Sequence, residues 1–300
     1  SDPSMGSRIR MAGLLGNRRN PSVDRLRSHV TPCTDVGLGY RQGVKRSATN
    51  PSSAPHHSRR FDRVDALRGV AVLWMTLYHF AFDLNHFGHW RQDFYTNPVW
   101  TWQRTAIVSL FLFCAGLGQA IAVHQGQGWP RFWRRWAQVA GCALLVTAAS
   151  YAMFPKSFIY FGVLHGLAVM LLIGRLTAGW GRWLWLAGAV AITSTWLAAR
   201  LLAGSAAEPW FNAPPLNVLG WITRKPITED YVPLLPWLGV LWWGMACGQW
   251  LLRRQPGWMA GPLPSGSAAL AWLGRWSLSW YMLHQPVLMG LLMLWAWMAR

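Results

Sequence analysis

Seven mostly apolar stretches, roughly 66–84, 102–123, 134–153, 158–176, 182–203, 234–252 and 276–298, recur along the chain between short gaps bearing Arg, Lys, Pro or Gly. A helix needs about 17 to 25 such residues to cross a bilayer, and strands are far shorter. The pattern predicts an all-α polytopic membrane bundle of about seven transmembrane helices within residues 61–300. No internal repeat suggests the inverted halves of a transporter.

Residues 1–60 break this pattern. They hold 11 Lys or Arg against three Asp, are rich in Ser, Pro and Asn, and contain no run long enough to span a membrane. Such a composition predicts a disordered, basic N-terminal segment. The longest apolar stretch near its start is Met11 to Leu15, too short for a signal-peptide core, so the segment is expected to be cytoplasmic.

Composition agrees with the pattern: 53% of residues are hydrophobic and 13% charged. The net charge of +18 would suit nucleic acid, but most of it lies in the first segment and in short loops, where positive-inside topology explains it better. Nucleic acid is therefore not an expected partner; membrane lipid is. With the N-terminus inside the plasma (inner) membrane, the cytoplasmic loops carry Arg131, Arg134, Arg135, Arg175, Arg182, Arg253, Arg254 and Arg275. The outer loops mix Arg91, Arg104, Lys156, Arg224 and Lys225 with Asp93, Glu208, Glu229 and Asp230. Many of the 23 Trp sit near helix ends, as an interfacial belt does. The four Cys form no CxxC pattern, so neither a disulfide framework nor a cysteine metal site is expected, and no metal is.

Ionisable groups inside apolar helices are costly and flag function. Helix one carries His79, Asp83 and His86 at spacings of four and three, on one helical face, with His89 just beyond. A carboxylate beside an imidazole suits proton transfer, so His79 and Asp83 are catalytic candidates, and His89, just beyond the helix, is a functional candidate with them. In the predicted topology His165, Asp230 and Tyr231 fall towards the same outer side and His284 near mid-membrane. With His86 these are candidates for binding a substrate. The competing reading of each lone histidine is a core residue bonded to a neighbouring carbonyl. At the cytoplasmic end Arg68, Arg134, Arg135 and Arg275 could meet phosphates of an anionic ligand, although Asp65 and Arg68 are three apart and could simply pair. Gly116, Gly118, Gly239, Gly244 and Gly248 suit close helix packing rather than a phosphate loop.

The run of Arg63, Asp65, Leu67, Arg68, Gly69, Ala71, Met75 and His79, followed by FGVLH at 161–165, DYVPLLPWLGV at 230–240 and LGRWSLSWYMLHQP at 273–286, resembles the heparan-alpha-glucosaminide N-acetyltransferase catalytic-domain family. The resemblance covers about 61–298 and implies transfer of acetyl from cytoplasmic acetyl-CoA to an acceptor across the membrane, typically an amino-sugar nitrogen. It implies that His89 matches the histidine regarded as catalytic in the animal lysosomal enzyme, while His79 matches the helix-one histidine of other membrane acyltransferases. No sizeable lumenal domain is expected in this chain, so that enzyme's substrate is not carried over; a glycan amine, a hydroxyl on a cell-envelope polymer and a small metabolite are all open as acceptor. Histidine would act either as general base or as a transient acyl carrier. A haem- or metal-binding redox protein and a proton-coupled transporter are the alternatives from other classes, and homo-oligomerisation stays open.

Overall fold

A computed structural model describes residues 61–298, and the expected disordered segment 1–60, with Cys33, lies outside them. The regular elements among the described residues are helical: α1 (Asp62–His86), α2 (Pro98–His124), α3 (Trp129–Met153), α4 (Val163–Leu176), α5 (Trp183–Leu202), α6 (Glu208–Asn212), α7 (Pro214–Asn217), α8 (Trp237–Arg254), α9 (Pro256–Ala260), α10 (Ala268–Arg275) and α11 (Ser277–Met298). Local chemistry sets the ends. Asp62 and Asp65 occupy the first turn of α1, where the helix dipole favours negative charge. Asn97 caps α2 by accepting from the Val99 N–H at 2.9 Å, with Pro98 in the first turn. Gly88, at φ 79°, turns the chain out of α1 in a conformation that other residues resist.

A helix overlies each of the seven apolar stretches, but among the described residues only α2, α3 and α5 are both long and apolar enough to cross a membrane. Only 17% of the apolar stretch in each of α3 and α5 is buried against protein. Leu144, Leu186, Val190 and Leu197 on these two helices are turned outward. Helices apolar on their outer faces suit lipid, not water.

Two expected boundaries shift. The stretch predicted to begin a span at 158 is extended as far as Gly162, because 157–161 pairs with 229–232: the Glu229 N–H donates to the Ser157 carbonyl at 2.9 Å and Phe161 bridges Tyr231. Helix α4 is left with 14 residues, about 21 Å at 1.5 Å per residue, short of a roughly 30 Å hydrocarbon core. The last span is preceded by a separate α10, divided from α11 at Trp276.

Glycines let the helices meet backbone to backbone. A Cβ on Gly69 would stand 1.9 Å from the Leu270 carbonyl, and one on Gly274 would stand 1.8 Å from that of Asp65, which locks α1 to α10. Gly116 and Gly244 join α2 to α8 in the same reciprocal way, against the carbonyls of Leu241 and Phe113. Around them Leu112, Met170, Leu184, Leu241 and Met245 are fully enclosed, which makes α2, α4, α5 and α8 a common core. Helix α11 runs along α1, with the Trp280 Nε1–H donating to Thr76 Oγ1 at 2.8 Å.

Candidate functional site

The face that α1 turns to α11 is polar at three successive levels. Thr76 meets Trp280; His79 meets His284, their ring centroids 5.1 Å apart at 63°; and Asp83 Oδ1 accepts from Gln285 Nε2 at 2.7 Å. His79 and Asp83 thus share the face that their spacing predicts. Asp83, however, bonds to Gln285, not to a histidine, and is 1% exposed.

His284 has a defined proton. Its Nδ1 lies 2.8 Å from the Tyr281 carbonyl, which can only accept, so Nδ1 carries the hydrogen and Nε2 the lone pair. That lone pair is buried with no hydrogen-bond partner, as are Asp83 Oδ2 and Gln285 Oε1. Three unpartnered polar atoms within two helical faces depart from the rule that buried polar groups are paired. Tyr281 extends the group: its ring centroid is 5.8 Å from that of His284, and Asp230 is within its electrostatic reach. Arg104 on α2 lies within electrostatic reach of Tyr78, Lys225 and Asp230.

His165, Asp230 and Tyr231 belong to a different arrangement, a knot at the start of α4. Asp230 Oδ2 accepts from the Val163 N–H at 2.7 Å, capping that helix where its dipole favours an anion. Gly162 is required beside it, since a Cβ there would fall 2.3 Å from the carboxylate. His165 Nδ1 accepts from the Gly162 N–H at 3.3 Å, so Nε2–H donates to Thr147 Oγ1 at 2.9 Å, and the Thr147 hydroxyl in turn donates to the Ile159 carbonyl at 2.8 Å. Both ring nitrogens are therefore taken up, which is the core-histidine arrangement. The Tyr231 hydroxyl donates to the Asn217 carbonyl at 2.6 Å, and Asn217 Nδ2 donates to the Tyr160 hydroxyl at 2.8 Å. Burial raises the pKa of Asp230, against the Val163 N–H, Lys225 and Arg104. Lys225 is lowered by burial first and by Arg104 second.

The remaining candidates divide by end. His86 and His89 are exposed where α1 finishes, His86 edge-on to Phe87 and His89 with its ring 4.6 Å from that of Trp295. Arg68, Arg134, Arg135 and Arg275 lie at the end where α1 begins. Arg68 pairs with Asp65 at 2.9 Å, Arg275 Nε donates to Ala271 of its own helix at 3.3 Å, and Arg134 is exposed. A cleft of about 310 Å³ opens at this end beside Val123, His124, Gly179, Gln249 and Arg253; none of the four expected arginines lines it. Among the described residues no group of three His, Cys, Asp or Glu could hold a metal.

Sequence reasoning missed Gln285, Tyr281 and the reach of Arg104. A glutamine inside an apolar helix next to a histidine was the available signal for the first.

Helices apolar on their outer faces, packed through glycines around a buried polar seam with a histidine pair, define a membrane-type helical protein with a candidate proton-transfer site. The chain belongs to the heparan-alpha-glucosaminide N-acetyltransferase catalytic family, which matches residues 60–286 and so takes in the seam through Gln285. Neither a curated protein nor a solved structure matches it.

Proposed function

We propose that this protein is a seven-span membrane acetyltransferase, N-terminus in the cytoplasm, that moves acetyl from acetyl-CoA to an amine or hydroxyl of a sugar or cell-envelope glycan beyond the membrane. The observation that carries the reading is the free Nε2 lone pair of His284 beside the His79 ring. As the acceptor nitrogen or oxygen attacks the thioester carbonyl, its proton passes to an imidazole of this pair. The C–S bond breaks, CoA leaves as thiolate, and the thiolate is protonated from the imidazolium or from water. General-base catalysis of this kind contributes about 10²–10⁴-fold. In this reading Arg134 and Arg275, at the opposite end from His89, would meet the donor's phosphates, for which a guanidinium is suited. His89, against Trp295 at the far end, stands where the acceptor would enter.

The test is acetyl-CoA-dependent release of CoA by the purified protein in detergent with a panel of amino sugars and glycans. His79→Ala, His284→Ala and His89→Ala are compared with wild type. Acceptor-dependent release lost in His79→Ala and His284→Ala supports the reading. Release unchanged in both variants would remove the pair from the mechanism. Absence of both acetyl-CoA binding and release would sink the acetyltransferase itself.

A further inference from the structure

We infer that Asp83 is carried as the neutral acid and forms a two-bond acid–amide pair with Gln285, which positions α1 against α11 beside the histidines. Gln285 Nε2–H donates to Asp83 Oδ1 at 2.7 Å. The two atoms left over, Asp83 Oδ2 and Gln285 Oε1, are both buried and both without a partner. Both are acceptors when Asp83 is ionised, so they cannot bond to each other. A single proton on Oδ2 makes that oxygen a donor to Oε1 and satisfies both atoms at once. An ionised carboxylate here would instead be a buried charge with one hydrogen bond, in surroundings where unpaired charge is very costly.

The neighbours offer no other compensation. His79 on α1 faces His284 on α11, not Asp83, and His284 gives its one proton to the Tyr281 carbonyl. His86, one turn along α1, lies within electrostatic reach, but its ring is edge-on to Phe87 at the exposed end of the helix. The cationic Arg104 and Lys225 act on Asp230 instead. Asp83 is thus a positioning residue. Being uncharged, it places no fixed negative charge beside the His79–His284 pair, so the pair's free lone pair is open to a proton from an acceptor. That last consequence rests on the acetyltransferase reading; the protonation state does not.

The test is infrared spectroscopy of the full chain in detergent at neutral pH, with and without ¹³C-carboxyl aspartate. Expected is a carbonyl band of a protonated carboxylic acid that shifts with the label, disappears in Asp83→Asn, and moves to higher frequency in Gln285→Leu as its hydrogen bond is lost. Asp83→Asn should keep the wild-type melting temperature, because its amide reproduces one donor and one acceptor, whereas Asp83→Ala should lower it. Should Asp83→Asn fail to fold, the labelled band and its response to Gln285→Leu decide alone. A folded protein with no label-sensitive acid band, or with one indifferent to Gln285→Leu, overturns the pair. Loss of acetyltransfer in any variant bears only on the function proposed above.

Discussion

The α1–α11 seam and the knot at the start of α4 are made of similar residues and hydrogen-bond them in opposite ways. Each has a histidine and an aspartate at a helix in an apolar bundle, and each was flagged by that alone. In the knot the imidazole of His165 has both nitrogens engaged and Asp230 caps a helix. In the seam His284 keeps an Nε2 lone pair with no partner, beside the His79 ring. Residue type and burial are alike in the two places; satisfaction of the hydrogen bonds is what differs. Even the knot is imperfect, since Asn217 Oδ1 is unpartnered.

The largest test of this contrast swaps the damage. His284→Ala or His79→Ala should cut turnover by about 10²–10⁴ while leaving the melting temperature within a few degrees of wild type. His165→Ala should do the reverse: it strands the Gly162 N–H and the Thr147 hydroxyl network, costs about 1–3 kcal/mol of stability, and leaves turnover per folded molecule near wild type. Turnover in detergent and thermal unfolding by tryptophan fluorescence read the two axes. Equal loss of activity from all three substitutions would erase the distinction.

A second test stays within the knot. Gly162→Ala drives a Cβ to 2.3 Å from Asp230 Oδ2, so it should destabilise by about 1–3 kcal/mol, the usual range for overpacking. Asp230→Ala alone should cost less, about 0.5–2 kcal/mol for a lost helix cap. Combined, the two should cost less than their sum, because removing the carboxylate removes the closest clash and leaves only Ile159 Cγ2, 2.7 Å from the added Cβ. Strict additivity, measured by the same unfolding assay, would show that Gly162 is not there to admit Asp230.

Much of this contrast could be read in the sequence, and its limits are physical. Apolar runs located the long helices because lipid-facing and core-facing residues are both apolar, but for that reason they did not show where one helix stops. The aromatic run Phe158–Gly162 looked like the start of a span and is extended, since its backbone pairs with 229–232, far away in the chain. The break at Trp276 was invisible inside a continuous apolar stretch. Helical spacing placed His79 and Asp83 on one face correctly, yet it could not say that the partner across the interface would be Gln285. Gly69 passed as part of a motif; its role against Leu270 depends on α10, some 200 residues later.

The smallest expected effect lies on the rim of the knot, at Glu208. Its carboxylate accepts from the Thr223 hydroxyl at 2.7 Å and from the Gly204 N–H at 2.7 Å, and Thr223 also accepts from Asn212, which leads towards Asn217. The Thr223 hydroxyl, followed by the Gly204 N–H, lowers the pKa of Glu208. A carboxylate lowered on folding contributes stability that is present above its unfolded value, about 4.3, and is lost as pH falls through the lower folded value. The group sits half-buried on the rim and bonds only to its near neighbours, so the contribution is local rather than global. Protection of the Gly204 amide from hydrogen exchange, relative to Glu208→Gln at each pH, should therefore be greatest near neutrality and vanish in strong acid. If wild type and variant protect that amide equally at neutral pH, the rim does not share in the hydrogen-bonded order of the knot. The knot would then end at Asn217.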